Sequence, residues 1–543
     1  MANFYCPFWR LTQRRGLCRF FAGVALVFMH QAVGAQSLMP EASGATTKFA
    51  ITGFEIKGDN PLSPQESKEV LAPFVMSDAT LVTLQNASTA VEAAFKAKGF
   101  PLHRVSLPAQ DLGGKVALLV VKFVIGKVTV HGQSYFSESN ILASVPELRA
   151  GEAPNFAKLA VQTAISNENP GKQLQVSLKE SEETDKIDVR LLVKESKPWS
   201  LSGSLSNTGS DATGQDRLTL VGTHANVLGL DHQFSGAYTT SLERANDVQQ
   251  FGVNYRVPFY QAGGVLGVSL TRSDVVGSFG AFTSTGAGRT LGMNYSHYLP
   301  PEGGRRTYLT LGLDKKRFNA VQINGLPVLG QVDRESSPLT MGFSARVDGD
   351  TEVWSYNAEL AVNTGMGEGN QLAAYQSEDP RVSRANWRAL RGGVNHLRAL
   401  SSGWLFGVRG QFQVSPDALI SGEQFGVGGA TSVRGTNERP ISGDSGLSAS
   451  MELTSPELGA GLRAIVFLDG GWIHNHNALV NPSKPSSDQL VSVGLGLRYT
   501  SGSVGMSADW GRVVTGSVLP FAPGSGIPQS GDQKIHLNLI ARF

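Results

Sequence analysis

The C-terminal two-thirds of the chain is a long series of segments, each of about ten residues, in which apolar and polar side chains alternate. In the last segment Ile535, Leu537 and Leu539 fall on one parity, and His536 and Asn538 fall on the other. Alternation with a period of two predicts strands that have one apolar face. A Lys or Arg facing lipid at the bilayer midplane costs about 2–4 kcal/mol, and the charged residues here fall mainly on the opposite parity. The pattern predicts a transmembrane β-barrel with a watery lumen over residues 197–543.

The number and spacing of these segments indicate how the barrel closes and how it is oriented. We count sixteen, an even number, and a closed barrel leaves no unpaired edge in the membrane. Links after odd segments are mostly long, as at 364–385 and 415–445, whereas links after even segments are short, as at 501–502. Short periplasmic turns and long outer loops are typical of outer-membrane barrels, so both barrel ends are expected in the periplasm. The segments are expected to begin near Trp199, Gln215, His232, Val248, Val265, Gly288, Thr307, Pro338, Val353, Asn386, Gly403, Gly446, Arg463, Gln489, Ser503 and Gln533.

Composition argues against several other classes of protein. The 543 residues carry a net charge of +2, which gives no case for nucleic-acid binding. No apolar run of about 18 residues follows the N-terminal segment, which argues against a helical membrane protein. A soluble β-sandwich is the alternative fold, but its outward faces are polar, whereas here strand after strand carries Trp, Phe, Leu and Val on one parity.

Residues 1–35 have the pattern of a secretory signal peptide. Several arginines precede an apolar segment at 20–29, and small residues end at Ala35, the expected cleavage position. A retained membrane anchor is the alternative, although the apolar run is short for a span. Cys6 and Cys18 both lie in this segment, so a mature chain starting at Gln36 has no cysteine for disulfides or for a cysteine-based zinc site.

Two similar α+β units are predicted between the signal and the barrel. Each has the order strand, two helices, two strands, and we place a short linker at 36–48, the first unit at 49–126 and the second at 127–196. The first helix begins after Ser63 with Pro64 at its first position, and the second ends at Gly99. One generic α+β domain is the alternative. In order of elements the pair resembles two POTRA domains, the periplasmic modules that precede certain outer-membrane barrels. The expected segments are strands at 49–56, 102–107, 116–125, 127–130, 174–178 and 187–193, and helices starting at 63 and spanning 84–98, 137–143 and 156–167.

One loop and one strand narrow the family. Residues 425–435 read FGVGGATSVRG after the eleventh barrel segment, and residues 467–471 read FLDGG two segments further on. With two POTRA-like units and sixteen strands, this combination resembles the haemolysin secretion/activation (ShlB/FhaC-like) transporters of two-partner secretion, in the BamA-related superfamily. The resemblance implies that the loop folds into the lumen and that its arginine meets the strand aspartate. The matching positions are Val433, Arg434 and Gly435 in the loop and Phe467, Asp469 and Gly471 in the strand.

Other positions around this motif are informative. Thr436 stands where the family usually has an aromatic residue, which leaves the packing of the loop tip open. Glu452 and Asp509 fall on the lumen parity and are rival partners for Arg434. In a wet lumen we expect the Arg434 ion pair to contribute about 1 kcal/mol. Phe543 matches the aromatic C-terminus that acts as an assembly signal in such barrels, although it could simply end a lipid-facing strand.

The resemblance implies an outer-membrane transporter that recognises a secreted exoprotein, through its N-terminal secretion domain, with POTRA domains in the periplasm and moves it unfolded through the barrel. Further expected partners are the barrel assembly machinery during biogenesis and outer-membrane lipid, and the chain is expected to be a monomer. A BamA-type assembly factor is the alternative; such proteins usually carry more POTRA copies. A porin lacks periplasmic domains.

The sequence predicts no enzyme, catalytic residue, cofactor or metal. His474 and His476 are interpreted as solvated loop histidines, because no third ligand is near them in sequence. Some family members have an N-terminal helix that plugs the barrel. Residues 36–48 are too few for such a helix and its linker, so we expect the folded-in loop alone to block the pore.

Overall fold

The computed structural model describes residues 48–543 except 112–113, 211–212, 276, 280–281, 285, 321, 324–325, 483 and 521–525. The predicted signal peptide with its cleavage at Ala35, and the linker up to residue 47 on which the expectation of no plug helix rests, lie outside the described residues. In the part of the chain that is described, none of the helices has both the length and the apolar character needed to span a bilayer.

The first N-terminal domain is a three-stranded sheet covered by two helices. Ser63 caps the first helix and exchanges hydrogen bonds with Glu66 in a capping box, with Pro64 at the start as predicted. The strand Gly114–Lys122 (β3) lies in the middle of the sheet, parallel to Ile51–Gly58 (β1) and antiparallel to His103–Ser106 (β2). The core joins both helices to the sheet through Leu71 of the first helix, Leu84 and Phe95 of the second, and Leu118 of the sheet. The elements are β1 Ile51–Gly58, α1 Pro64–Leu71, α2 Leu81–Ala97, β2 His103–Ser106 and β3 Gly114–Lys122.

The second N-terminal domain repeats this topology, with the strand Lys186–Glu195 (β6) between a parallel Val124–His131 (β4) and an antiparallel Lys172–Glu180 (β5). Its first strand begins at Val124 and not at 127 as predicted. Val124 and Ile125 already pair with β6, and a register shift before Val128 interrupts the alternation of apolar and polar residues along this strand. The elements are β4 Val124–His131, α3 Glu138–Ala143, α4 Phe156–Asn167, β5 Lys172–Glu180 and β6 Lys186–Glu195.

The remaining strands form a closed 16-stranded antiparallel barrel, which confirms the predicted fold. Each strand begins within two residues of its predicted start; the largest offsets include Arg217, expected at Gln215. The strands are β7 Trp199–Ser206, β8 Arg217–Val227, β9 His232–Thr240, β10 Gln249–Phe259, β11 Gly264–Ser273, β12 Gly288–Tyr298, β13 Arg305–Phe318, β14 Pro338–Asp348, β15 Glu352–Asn363, β16 Arg388–Ala399, β17 Leu405–Val414, β18 Ser445–Thr454, β19 Leu462–His474, β20 Ser487–Ser501, β21 Val504–Thr515 and β22 Gln533–Arg542. Short strands lie in the outer loops at Gly277–Phe279, Phe282–Ser284, Gln322–Ile323, Leu326–Pro327, Arg334–Ser336, Phe425–Val427 and Ile441–Gly443.

The outer surface of the barrel is apolar along alternate positions. On β19 the side chains of Val466, Leu468 and Trp472 are exposed, whereas the intervening Phe467 and Asp469 are buried. This is the arrangement that lipid demands of a strand. The sequence of β16 has arginines on both parities, and the structure explains them. Arg391 is buried inside the barrel, while Arg388 and Arg398 lie at the two ends of the strand, where a long side chain can reach the membrane interface.

The barrel closes through a short seam between its last and first strands. Strands β22 and β7 pair in register from Asn538 with Ser206 to Arg542 with Ser202, and backbone bonds between Phe543 and Leu201 extend the lower end of this ladder. Above the ladder the backbone N–H of Asn207 donates to the carbonyl of Leu537 at 3.3 Å, and its side chain bonds to the backbone of Ile535 and Leu537. The outer half of β22 is therefore held by a full backbone ladder on one side only, the side of β21.

Buried polar contacts attach the second N-terminal domain to the short-turn end of the barrel. Lys172 forms an ion pair with Asp231 in the turn between β8 and β9, and both side chains are fully buried. Burial lowers the pKa of Lys172, while Asp231 opposes that shift. Glu168 accepts hydrogen bonds from the hydroxyls of Tyr298, at 2.5 Å, and Tyr308, at 2.8 Å. Both barrel ends and the domains therefore lie on the side of the short turns, as predicted.

The long loops at the opposite end pack into a cap. A short helix, α5 Leu372–Glu378, places Tyr375 in an apolar cluster with Trp387 and Leu419. Arg381 is fully buried and donates to Asp379 at 2.8 Å and to Asp444 at 3.0 Å. These contacts join the loop at 364–387 to the loop at 415–444.

Candidate functional site

The loop between β17 and β18 enters the barrel as a short hairpin. Its strands Phe425–Val427 and Ile441–Gly443 pair antiparallel. Val433 near the tip is fully buried in a cluster with Val427 and Ile441 of the hairpin and Ile473 of the barrel wall. The apolar residues of this glycine-rich loop therefore fix its position inside the barrel.

Arg434 and Asp469 lie in direct contact. The side chain of Arg434 donates from Nε to Oδ2 at 2.7 Å and from Nη2 to Oδ1 at 2.8 Å, and its backbone N–H donates to Oδ2 at 3.1 Å. A planar guanidinium matches a carboxylate in this two-point geometry. Asp469 projects inward because its neighbours Leu468 and Gly470 occupy the other parity of β19.

The pair is buried and not solvated. Arg434 is 2% exposed and Asp469 0%. The prediction that this pair lies in a wet lumen is therefore wrong, because the loop itself covers the contact. Removing one member of a buried pair leaves an uncompensated charge, which costs about 3–5 kcal/mol.

The other side chains around Arg434 act together with Asp469. Glu452 was predicted as a rival partner for Arg434, and its carboxylate lies 2.5 Å from Nη1 of Arg434. The carboxylate of Asp509 lies 3.9 Å from the same nitrogen. The ring of Phe467 lies under the guanidinium, with its centroid 3.5 Å from Cζ. The cation thus has carboxylates at its edges and an aromatic face below it.

The two motif glycines permit close approach. Gly435 has φ +92°, and a Cβ there would lie 2.8 Å from the backbone oxygen of Gly511 on β21. At Gly471 a Cβ would lie 2.3 Å from a methyl group of Val427 in the hairpin. Any larger residue at either position therefore displaces the loop from the wall.

Thr436 holds the loop tip through its hydroxyl group. It is 3% exposed, donates from Oγ1 to the carbonyl of Val433 at 2.8 Å and accepts from the N–H of Gly429 at 2.9 Å. Where the sequence comparison left the packing of this position open, the structure shows a hydrogen-bonded turn in place of an aromatic contact.

Two residues that contact the motif were not predicted from the sequence. Ser450 donates to Asp469 at 2.6 Å and accepts from Arg434 at 3.1 Å. His536 accepts a hydrogen bond from the backbone of Gly435 at 3.0 Å. Ser450 pairs in register with Asp469 across β18 and β19, so strand parity could have identified it. Nothing local in the sequence links residue 536 to residue 435.

The other residues singled out in the sequence lie apart from this cluster. Phe543 is 73% exposed, and its backbone N–H donates to Leu201 of β7 at 2.8 Å. His474 and His476 lie at the outer end of β19, and His476 Nε2 donates to the carbonyl of Ser415 at 2.8 Å. His476 is therefore bonded within the loop cap and is not simply solvated. Within the described residues no group of His, Cys, Asp and Glu side chains could hold a metal ion.

Comparisons with known proteins agree with this architecture. The family model of the haemolysin secretion/activation protein ShlB/FhaC/HecB matches residues 185–499, and that of the ShlB-type POTRA domain matches residues 49–122. The outer membrane transporter CdiB of Escherichia coli is 24% identical over 486 residues, which cover 86% of this chain and 79% of the relative.

Two solved structures have the same fold. CdiB from Escherichia coli superposes with a TM-score of 0.70 at 21% identity, covering 93% of each chain. CdiB from Acinetobacter baumannii superposes with a TM-score of 0.66 at 16% identity, covering 91% of this chain and 90% of that chain. The barrel accordingly lies in the outer membrane and the two POTRA domains lie in the periplasm. The chain belongs to the haemolysin secretion/activation ShlB/FhaC/HecB family of outer-membrane transporters for two-partner secretion.

Proposed function

We propose that this transporter exports one secreted partner protein in an extended form, with the POTRA domains as its receptor and the loop at 415–444 as the element that must shift. The observation that carries the proposal is the contact of Arg434 with Asp469 inside the barrel. This contact holds the loop inside the barrel by side-chain hydrogen bonds and packing. Such contacts are reversible, so the loop can leave its place. A barrel of this strand number is wide enough to hold an aqueous channel once the loop moves.

A free sheet edge supports recruitment through strand addition. In the second POTRA domain β5 is an edge strand, and Asn167 caps the outward backbone groups of Leu174. The register of β5 with β6 continues without a bulge, so Val176 and Leu178 direct their backbone N–H and C=O groups outward in the same way. An extended segment of the exoprotein can pair there through main-chain hydrogen bonds with little demand on its sequence.

The family resemblance supports folding of the exoprotein outside the cell as the driving force. A partner that folds at the surface cannot return through the barrel, so transport becomes directional. Folding requires no energy source in the periplasm, and the POTRA domains need to deliver only an extended chain.

Deletion of the gene for this chain tests the function. One secreted protein should disappear from the medium, and the chain supplied in trans should restore it, as measured by comparing the proteins of medium and periplasm with and without the gene. The amounts of unrelated outer-membrane barrels should stay constant. Continued secretion, or a general loss of other barrels, would contradict the proposal, and the second result would indicate an assembly factor.

A further inference from the structure

His536 is a buried histidine on the lumen face of the last strand. It lies between Ile535 and Leu537, which face lipid, and it is 5% exposed. Its Nε2 lies 3.0 Å from the backbone nitrogen of Gly435. A backbone N–H can only donate, so Nε2 accepts, and the imidazole is neutral with its proton on Nδ1.

Acidic and basic side chains both surround the imidazole ring of His536. Asp509 pairs with His536 in register across β21 and β22, and Asp469 faces it from β19. Arg434 of the loop and Lys534 of the same strand are the nearby cations. Nδ1 is buried without a hydrogen-bond partner among the described residues, so the bond to Gly435 is the one polar contact found for the ring there.

The position of His536 in the seam gives this bond a structural consequence. The register pairing of β22 with β7 begins at Asn538, and above it only the backbone and side chain of Asn207 bond to β22. At the level of His536 the strand has a regular backbone ladder with β21 alone. The bond to Gly435 therefore ties the loop tip to the half of the last strand that has no first-strand ladder.

We propose that His536 is a positioning residue for transport, whose neutral imidazole holds the backbone of Gly435 and so keeps the Arg434 side chain on its carboxylates. This inference rests on the proposed function of the loop. It adds a contact that is independent of the Arg434 and Asp469 side chains. The proposed role requires a hydrogen-bond acceptor at residue 536 and does not require an aromatic ring.

Two substitutions distinguish the loss of the hydrogen-bond acceptor at residue 536 from a change in side-chain volume. His536→Phe keeps an aromatic ring without an acceptor, and His536→Gln keeps an acceptor oxygen near the place of Nε2. Hydrogen exchange of full-length protein in lipid nanodiscs reports on the loop peptide around Gly435. We expect exchange there to be several-fold faster in His536→Phe and secretion of the exoprotein to fall several-fold. His536→Gln should restore both. Asn538→Ala, on the same strand and parity, serves as a control and should change neither.

The inference is overturned if His536→Phe leaves loop exchange unchanged, or if His536→Gln behaves like His536→Phe. The exchange measurement uses no exoprotein, so its outcome is separate from the proposed function. If deletion of the whole chain does not affect secretion, the transport proposal fails, and with it the role of His536 in transport. If deletion blocks secretion but His536→Phe secretes normally, only the role of His536 is refuted.

Discussion

Arg434 and Asp469 form a buried two-point ion pair, with Nε to Oδ2 at 2.7 Å and Nη2 to Oδ1 at 2.8 Å. Arg434→Ala leaves Asp469 without its main partner inside the barrel, at a cost of about 3–5 kcal/mol. We expect secretion of the exoprotein to fall about tenfold or more. The measurement is the amount of exoprotein in the medium at equal amounts of folded barrel, judged by heat-modifiable migration on gels.

Arg409→Ala is a matched control for this prediction. Arg409 lies on the lumen parity of β17, and no ion pair involves it in the described part of the chain. The Arg409→Ala variant should secrete the exoprotein normally. Secretion by the Arg434→Lys variant should be reduced, because an ammonium group cannot make the two-point contact with Asp469. Normal secretion by Arg434→Ala would refute the role of the pair.

Gly471→Ala should displace the hairpin from the wall. The added methyl group would lie 2.3 Å from a side-chain carbon of Val427, and this overlap is relieved only if the hairpin moves. We expect reduced secretion, and recovery when Val427→Ala is combined with it. Gly470→Ala is the control, since a Cβ there meets nothing nearer than 4.0 Å. A double variant as defective as Gly471→Ala alone would contradict this account.

Thr436→Val should loosen the loop tip although it preserves the volume of the side chain. The buried N–H of Gly429 loses its acceptor, at a cost of about 1–3 kcal/mol. Hydrogen exchange in peptides covering 425–443 should therefore be faster, while Thr436→Ser should exchange like the parent. Equal exchange in all three proteins would show that the hydroxyl group has no structural role.

Lys172→Met should loosen the attachment of the second POTRA domain to the barrel. It leaves Asp231 buried with the hydroxyl of Tyr260, at 2.7 Å, as a remaining donor, at a cost of about 3–5 kcal/mol. Spin labels on the domain and the barrel should report a broader distance distribution. Lys158→Met removes an exposed pair of the same domain and should change nothing measurable. An unchanged distance distribution in Lys172→Met would contradict this prediction, since it would show that other contacts hold the domain on the barrel.

Leu178→Pro should weaken capture of the exoprotein. Proline removes an outward backbone N–H from β5 and leaves the bonds between β5 and β6 intact. We expect less exoprotein to be co-purified with the full-length chain, whereas Leu178→Ala, which keeps the N–H, should capture it normally. Equal capture by both variants would exclude strand addition at this edge.

The barrel was predictable to within two residues per strand because alternation is a local property that lipid imposes along each strand. The six motif residues were predictable through the family resemblance. The burial of Arg434 was not, because it depends on how the hairpin at 425–443, which carries Arg434, packs against the barrel wall. The contact of His536 with Gly435 and the ion pair of Lys172 with Asp231 were also missed. Each joins residues far apart in the chain, and neither leaves a periodic signal in the sequence.

The contacts of the loop tip have a consequence for biogenesis. Gly435 packs on Gly511 of β21 and bonds to His536 of β22, so its docking site is completed by the last two strands of the chain. During synthesis and insertion the loop exists before that site does. The loop tip can therefore be fully seated only once the C-terminal hairpin is in place, and a chain truncated before β21 lacks both of these contacts.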